Sequence, residues 1–127
     1  MNERTNINRH FDLDVYKRAF AVAMRVFELT KSFPMEERYS LNDQIRRSSR
    51  SVCASIAEAW RKRRYPANWV SKLSDSEAEA GETQTWIQFT IECGYLKREI
   101  GDELHNEYDA VIGMLVNMIR RPENWSV

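Results

Sequence analysis

The stretch Tyr39–Arg64, YSLNDQIRRSSRSVCASIAEAWRKRR, decides the fold. It contains neither Gly nor Pro, and its apolar residues recur with helical period. Leu41, Ile45, Ser48, Val52, Ile56 and Ala59 share one side, the expected core face. Small side chains crowd the same segment: Ser48, Ser49, Ser51, Ala54, Ser55, Ala57 and Ala59. A second helix can therefore approach closely. A different stripe carries Asp43, Arg47, Arg50, Ala54, Ala57, Arg61 and Arg64, four arginines with two alanines between the pairs. At 1.5 Å per residue this rail runs for roughly 30 Å.

Outward from this helix, proline and glycine set the boundaries. Phe33-Pro34 ends a preceding helix expected over about 12–32, because the residue before proline disfavours helical backbone. Tyr65-Pro66 starts a third, expected to run to about Cys93, with Gly94 as its C-terminal cap. A fourth is expected from about Arg98 to Arg121, stopping before Pro122. With 127 residues, 4 Gly, 3 Pro and 43% hydrophobic content, the chain fits one folded domain. The spacing predicts an all-α, left-handed up-down-up-down four-helix bundle over residues 12–121, a flexible N-terminal arm over 1–11 and a C-terminal tail over 122–127.

The first of these helices has two adjacent apolar stripes. One is Tyr16, Phe20, Ala23, Phe27 and Thr30; the other is Val15, Ala19, Val22, Val26, Leu29 and Phe33. Together they exceed what one small core needs, which implies burial against another subunit or a central place in the monomer.

Net charge is +0, but it is unevenly spread. Residues 1–64 hold 14 Lys+Arg against 8 Asp+Glu, and residues 65–127 hold 5 against 11, so the halves carry +6 and −6. One half can bind anions while the whole stays neutral, or the two can neutralise each other. Arg47, Arg50, Arg61, Lys62, Arg63 and Arg64 are the candidate nucleic-acid-binding residues, since arginine forks match phosphate oxygens in pairs. Trp60, Tyr65 and Trp69 flank the cluster, either to stack on bases or, as the favoured reading, to close the end of the core. Arg46 and Glu58 share the inner half of the helix, so both are expected to find opposite charges or polar partners inside the bundle.

Several function classes lack a signature. Cys53 and Cys93 form no CxxC and no Cys/His cluster, which argues against zinc. The only histidines, His10 and His105, do not supply a di-iron pattern. Neither a nucleophile motif nor an acid–base pair is visible, so the expectation is a protein without catalytic residues, cofactor or metal. The N-terminal segment lacks a signal-peptide core and the longest apolar run is Ala19–Met24, so the expected setting is the cytoplasm, away from membranes.

Five segments together carry a resemblance: Tyr39-Ser40-Leu41, Gln44-Ile45-Arg46-Arg47-Ser48, Ser51-Val52, Ser55-Ile56-Ala57-Glu58 and Glu92-Cys93-Gly94-Tyr95-Leu96. They resemble a bacterial four-helix-bundle family named for proteins encoded in intervening sequences of 23S ribosomal RNA genes. A related branch is the accessory protein of diversity-generating retroelements. The resemblance spans about Phe11 to Ile119. It implies a ring-like homopentamer without catalytic residues and, in the accessory branch, a basic surface that binds RNA and a reverse transcriptase. Ser55 stands where the family usually has Asn, and Ala59 where it usually has Gly. Both replacements stay small, so the implied fold is unaffected.

Overall fold

The computed structural model describes residues 7–125. Four helices dominate: α1 (Asp14–Thr30), α2 (Leu41–Lys62), α3 (Pro66–Glu92) and α4 (Arg98–Arg120). Among the described residues there is no strand. Each helix packs against its two neighbours in a closed square, α1–α2–α3–α4 and back to α1. Short links force consecutive helices to run antiparallel, so the all-α four-helix bundle stands.

The breaks lie where proline and glycine place them. Pro66 occupies the first turn of α3. Gly94, at φ 77°, turns the chain after α3, and Tyr95 N–H reaches back to Thr90 O at 2.9 Å. Ser40 makes no side-chain cap; a Glu37 carboxylate oxygen accepts from Leu41 N–H instead. Asp12 takes the N–H groups of Asn8 and Arg9 and closes a 3-10 turn over His10–Asp12, and those two hydrogen bonds hold its carboxyl below the usual range. That turn packs on α1 and α2, and Ile7 packs on the core. Residues 7–11 thus lie against the bundle rather than in a free arm; residues 1–6 fall outside the described part. At the other terminus Trp125 stacks on Trp69 at 5.9 Å, so one side chain of the expected tail also covers the core.

The core runs the length of the square. Ile45, Val52 and Ile56 of α2 are at most 1% exposed, as the register of the quoted stretch requires. They meet Val15, Ala19 and Val26 of α1, Trp69, Leu73 and Ile87 of α3, and Leu104, Tyr108 and Leu115 of α4 in one cluster. The α2–α3 seam is laced by hydroxyls. Ser76 Oγ donates to Val52 O at 2.8 Å, and Thr83 Oγ1 lies 2.8 Å from Ser48 Oγ. Small residues on both helices allow this approach, and the hydroxyls satisfy each other or backbone carbonyls once buried.

Candidate nucleic-acid interface

The α2 rail is continuous in sequence but not in chemistry. Arg47 is drawn to α3, where its Nη2 lies 2.9 Å from Glu82 and also donates to Gln44 at 2.9 Å. Arg50 leans the other way, its guanidinium 5.7 Å from the Phe27 ring of α1. Arg63 folds back on its own helix: it donates to Trp60 O at 2.7 Å and covers the Trp60 ring at 3.7 Å. Burial, then Arg61 and Arg64, lowers the Arg63 pKa, the expected sign for a cation with a desolvated face and like charges nearby. Arg61, Lys62 and Arg64 are exposed, and among the described residues no carboxylate lies within ion-pair distance of them. Arg50 is likewise exposed and without a carboxylate among the described residues, so four of the six candidate residues, Arg50, Arg61, Lys62 and Arg64, are open to an outside anion.

Two residues missed as site candidates join this end. The 3-10 turn sets His10 near the C-terminus of α2. Burial, followed by the charges of Arg61 and Arg9, lowers the His10 pKa, so the imidazolium is disfavoured at this basic end. Arg9 stacks on Phe11 at 5.4 Å. The signal in the sequence was the Asp12 carboxylate, four residues after Asn8, which pins the segment. The basic end thus comprises Arg9, Arg61, Lys62 and Arg64, with exposed Phe11 and Tyr65 beside it. Trp60 and Trp69 are buried and close the core, as favoured. A cationic side chain at a helix C-terminus also complements the helix dipole, so these residues have a structural gain independent of any ligand.

Of the two residues expected to find opposite charges or polar partners inside the bundle, Arg46 does so and Glu58 does not. Arg46 Nε donates to Thr30 Oγ1 at 2.8 Å and its guanidinium lies 4.8 Å from the Phe27 ring. It is half-buried, and among the described residues no carboxylate pairs with it. Glu58 is exposed and pairs with Lys72 at 2.9 Å. The helical register carries it outward past Ala59, where water solvates it at little cost. The carboxylate that does enter the α2–α3 seam is Glu79, which accepts from Ser55 Oγ at 3.3 Å. Burial is the main cause of its raised pKa, with Asp75 and Glu82 adding to it and the Ser55 bond opposing it.

Between Arg50 and Arg61 the rail drops into a groove. Tyr16, Phe20, Met24 and Phe27 of α1 and Arg50, Cys53, Ala54 and Ala57 of α2 line about 320 Å³. Phe20 and Met24 remain 49% and 45% exposed. The stripe of α1 that carries Tyr16, Phe20 and Phe27 is therefore not fully absorbed by the monomer, which excludes the reading of α1 as a fully covered central helix. Among the described residues no cluster of His, Cys, Asp or Glu could hold a metal ion, and no helix is long and apolar enough to cross a membrane.

These features define an all-α bundle with one basic end and one uncovered apolar seam. The model of the 23S rRNA-intervening sequence protein family matches residues 11–117, and the chain belongs to that family. The fold is also similar to the crystal structure, at 1.70 Å resolution, of a protein of unknown function from the S23 ribosomal protein family of Bacteroides thetaiotaomicron VPI-5482. The two are 28% identical with a TM-score of 0.75, and the match covers 84% of this chain and 95% of that one. No curated protein matches.

Proposed function

We propose that this chain is a non-enzymatic, RNA-associated bundle of the bacterial cytoplasm that holds the phosphates of structured RNA at its basic end. The observation that carries this reading is the group Arg61, Lys62 and Arg64, exposed, adjacent and without a carboxylate partner among the described residues. Arg9 extends the group across the neighbouring turn. Arg47 and Arg63 are withdrawn from the contact by Glu82 and Trp60, and Arg50 belongs to the groove. The site needs no cofactor or metal.

Self-association is part of the proposal. A homopentamer, as the resemblance implies, repeats the basic end, and linked sites raise apparent affinity without any new contact.

The test is the double variant R61E/R64E. RNA affinity is expected to fall and the slope of log affinity against log salt to flatten by roughly one per lost phosphate contact. Helical content should not change, because neither side chain packs in the core. Unchanged affinity and slope would remove the basic end as the RNA site.

A second reading takes the same cations as a dock for an acidic protein partner such as a reverse transcriptase. The exposed Phe11 and Tyr65 beside them favour it, since aromatic and arginine side chains are enriched at protein interfaces. The same variant then loses that partner at any salt concentration while RNA binding is unmoved.

A further inference from the structure

Two rings stand in the open at the basic end. Phe11 is 48% exposed and Tyr65 58%. They belong to separate segments, the 3-10 turn before α1 and the link between α2 and α3. Each has a cation beside it: Arg9 lies over Phe11 at 5.4 Å, and Arg64 directly precedes Tyr65. The turn packs on α2, and the charge of Arg61 reaches His10, whose ring is 4.0 Å from that of Phe11. Phe11 is also held in place. Its ring meets Tyr16 edge-on at 5.7 Å, and Asp12 pins the turn that carries it. A ring fixed in advance loses little freedom when a ligand covers it.

Phosphate contact explains the cations but not the rings. In an A-form duplex the bases are paired and stacked inside, and phosphates, 2′-hydroxyls and a shallow groove face the protein. A phenyl ring has little to cover there. Unpaired nucleotides turn their base faces outward, and aromatic side chains beside a cationic track hold such strands. A protein interface gathers its aromatics into one desolvated centre with a polar rim. Here the rings sit on separate segments, each next to a cation. Trp60 and Trp69 take no part, because both are buried.

We propose that the basic end takes unpaired RNA, with one base stacked on Phe11, another on Tyr65, and their phosphates on Arg61, Lys62 and Arg64. This rests on the RNA reading above and narrows it from structured RNA in general to single-stranded loops, bulges and ends. Stacking uses the π-face that every base has, so the site accepts many sequences.

The test measures binding of the full chain, across a salt series, to an oligouridylate, which stays single-stranded, and to a long GC-rich RNA duplex with few ends. At physiological salt, which weakens phosphate attraction more than stacking, wild type should bind the oligouridylate more tightly than the duplex. Phe11→Leu and Tyr65→Leu keep apolar bulk and remove the π-face. Each should lower oligouridylate affinity about 5- to 150-fold, the range expected when a stacked base loses its aromatic partner. The salt slope and the duplex affinity should not move, whereas R61E/R64E weakens both probes and flattens the slope. Phe11→Tyr and Tyr65→Phe keep a ring and should bind as wild type does. Circular dichroism checks the fold of each variant; if Phe11→Leu loses helicity, Tyr65→Leu, at the more exposed position, carries the test alone. A wild type that binds neither probe would overturn both the RNA reading and this one. Binding that depends on Arg61 and Arg64 but prefers the duplex, or that neither leucine variant changes, would overturn only the stacking and leave the phosphate contact standing.

Discussion

The two flanks of α2 show what closes a helix–helix seam. Toward α3 it presents Ser48, Val52 and Ser55, and α3 answers with Ser76, Ala80 and Thr83. Small residues face small residues, the axes come close, and the buried hydroxyls bond across the gap. Toward α1 it presents Cys53, Ala54 and Ala57, and α1 answers with Tyr16, Phe20, Met24 and Phe27. Here the small residues meet large ones, which stand off and leave a groove. Smallness on one helix is therefore only half of a tight seam; the facing helix decides whether it becomes packing or an empty slot.

The largest expected effect lies where both seams share a residue. Ile56 is fully buried, and Ile56→Ala should lower unfolding free energy by about 2–5 kcal/mol in urea titration. A loss well under 1 kcal/mol would place Ile56 at the surface and undo the register of α2. Paired substitutions test the contrast directly. Ala80→Leu forces bulk into the closed seam and should cost about 1–3 kcal/mol. Ala54→Leu enters the open groove and should stay within about 0.5 kcal/mol of wild type. Equal costs would erase the difference between the seams.

Neighbouring arginines sharpen it further. Arg46→Ala breaks a half-buried, charged hydrogen bond to Thr30 and should cost about 1.5–3 kcal/mol. Arg47→Ala removes a largely exposed pair with Glu82 and should cost about 0.2–1 kcal/mol. The smallest effect expected is that of Glu79→Gln. Folding raises the Glu79 pKa, so its ionised form is disfavoured in the native state. The penalty is absent below the unfolded-state pKa and grows as pH rises through the folded-state pKa. Glu79→Gln should therefore stabilise slightly at neutral pH and not at all in acid, as followed by thermal unfolding across pH. A gain that persists in acid would mean the charge is not its cause.

Cysteine labelling reports the same contrast by another route. Burial pushes the Cys53 thiol up to about 11, whereas Cys93 is exposed. At neutral pH Cys93 should react with a thiol reagent and Cys53 should lag far behind, because the thiolate is the nucleophile.

Helix number and boundaries were legible because Pro34, Pro66, Gly94 and Pro122 punctuate an otherwise uninterrupted helical pattern. The core face of α2 was legible for the same reason: periodicity assigns faces. The fate of individual charges was not. Arg46, Arg47 and Arg50 lie within one turn or so, yet one meets a threonine, one a glutamate and one a phenylalanine ring. Those partners belong to α1 and α3, and helical period says nothing about which side chain of a neighbouring helix lies opposite. Glu58 shows the same limit: its small neighbours suggested burial, but the register turns it to solvent. The stripe of α1 that carries Phe20 did signal an uncovered surface, because it doubled the apolar arc that one small core needs.

Residues 63–65 are the whole link between α2 and α3, whereas the α1–α2 link is longer and the contacts between α1 and α4 join opposite ends of the sequence. Closing a short loop costs little entropy, so the α2–α3 hairpin should be the nucleus around which the chain condenses. Destabilising changes there, such as Leu73→Ala, should slow refolding in stopped-flow experiments, and Val26→Ala in α1 should mainly speed unfolding. On the ribosome the order of docking then departs from the order of synthesis. The first helix made must wait for the second and third to find each other, and its aromatic stripe stays open to the cell for as long as that hairpin takes to emerge.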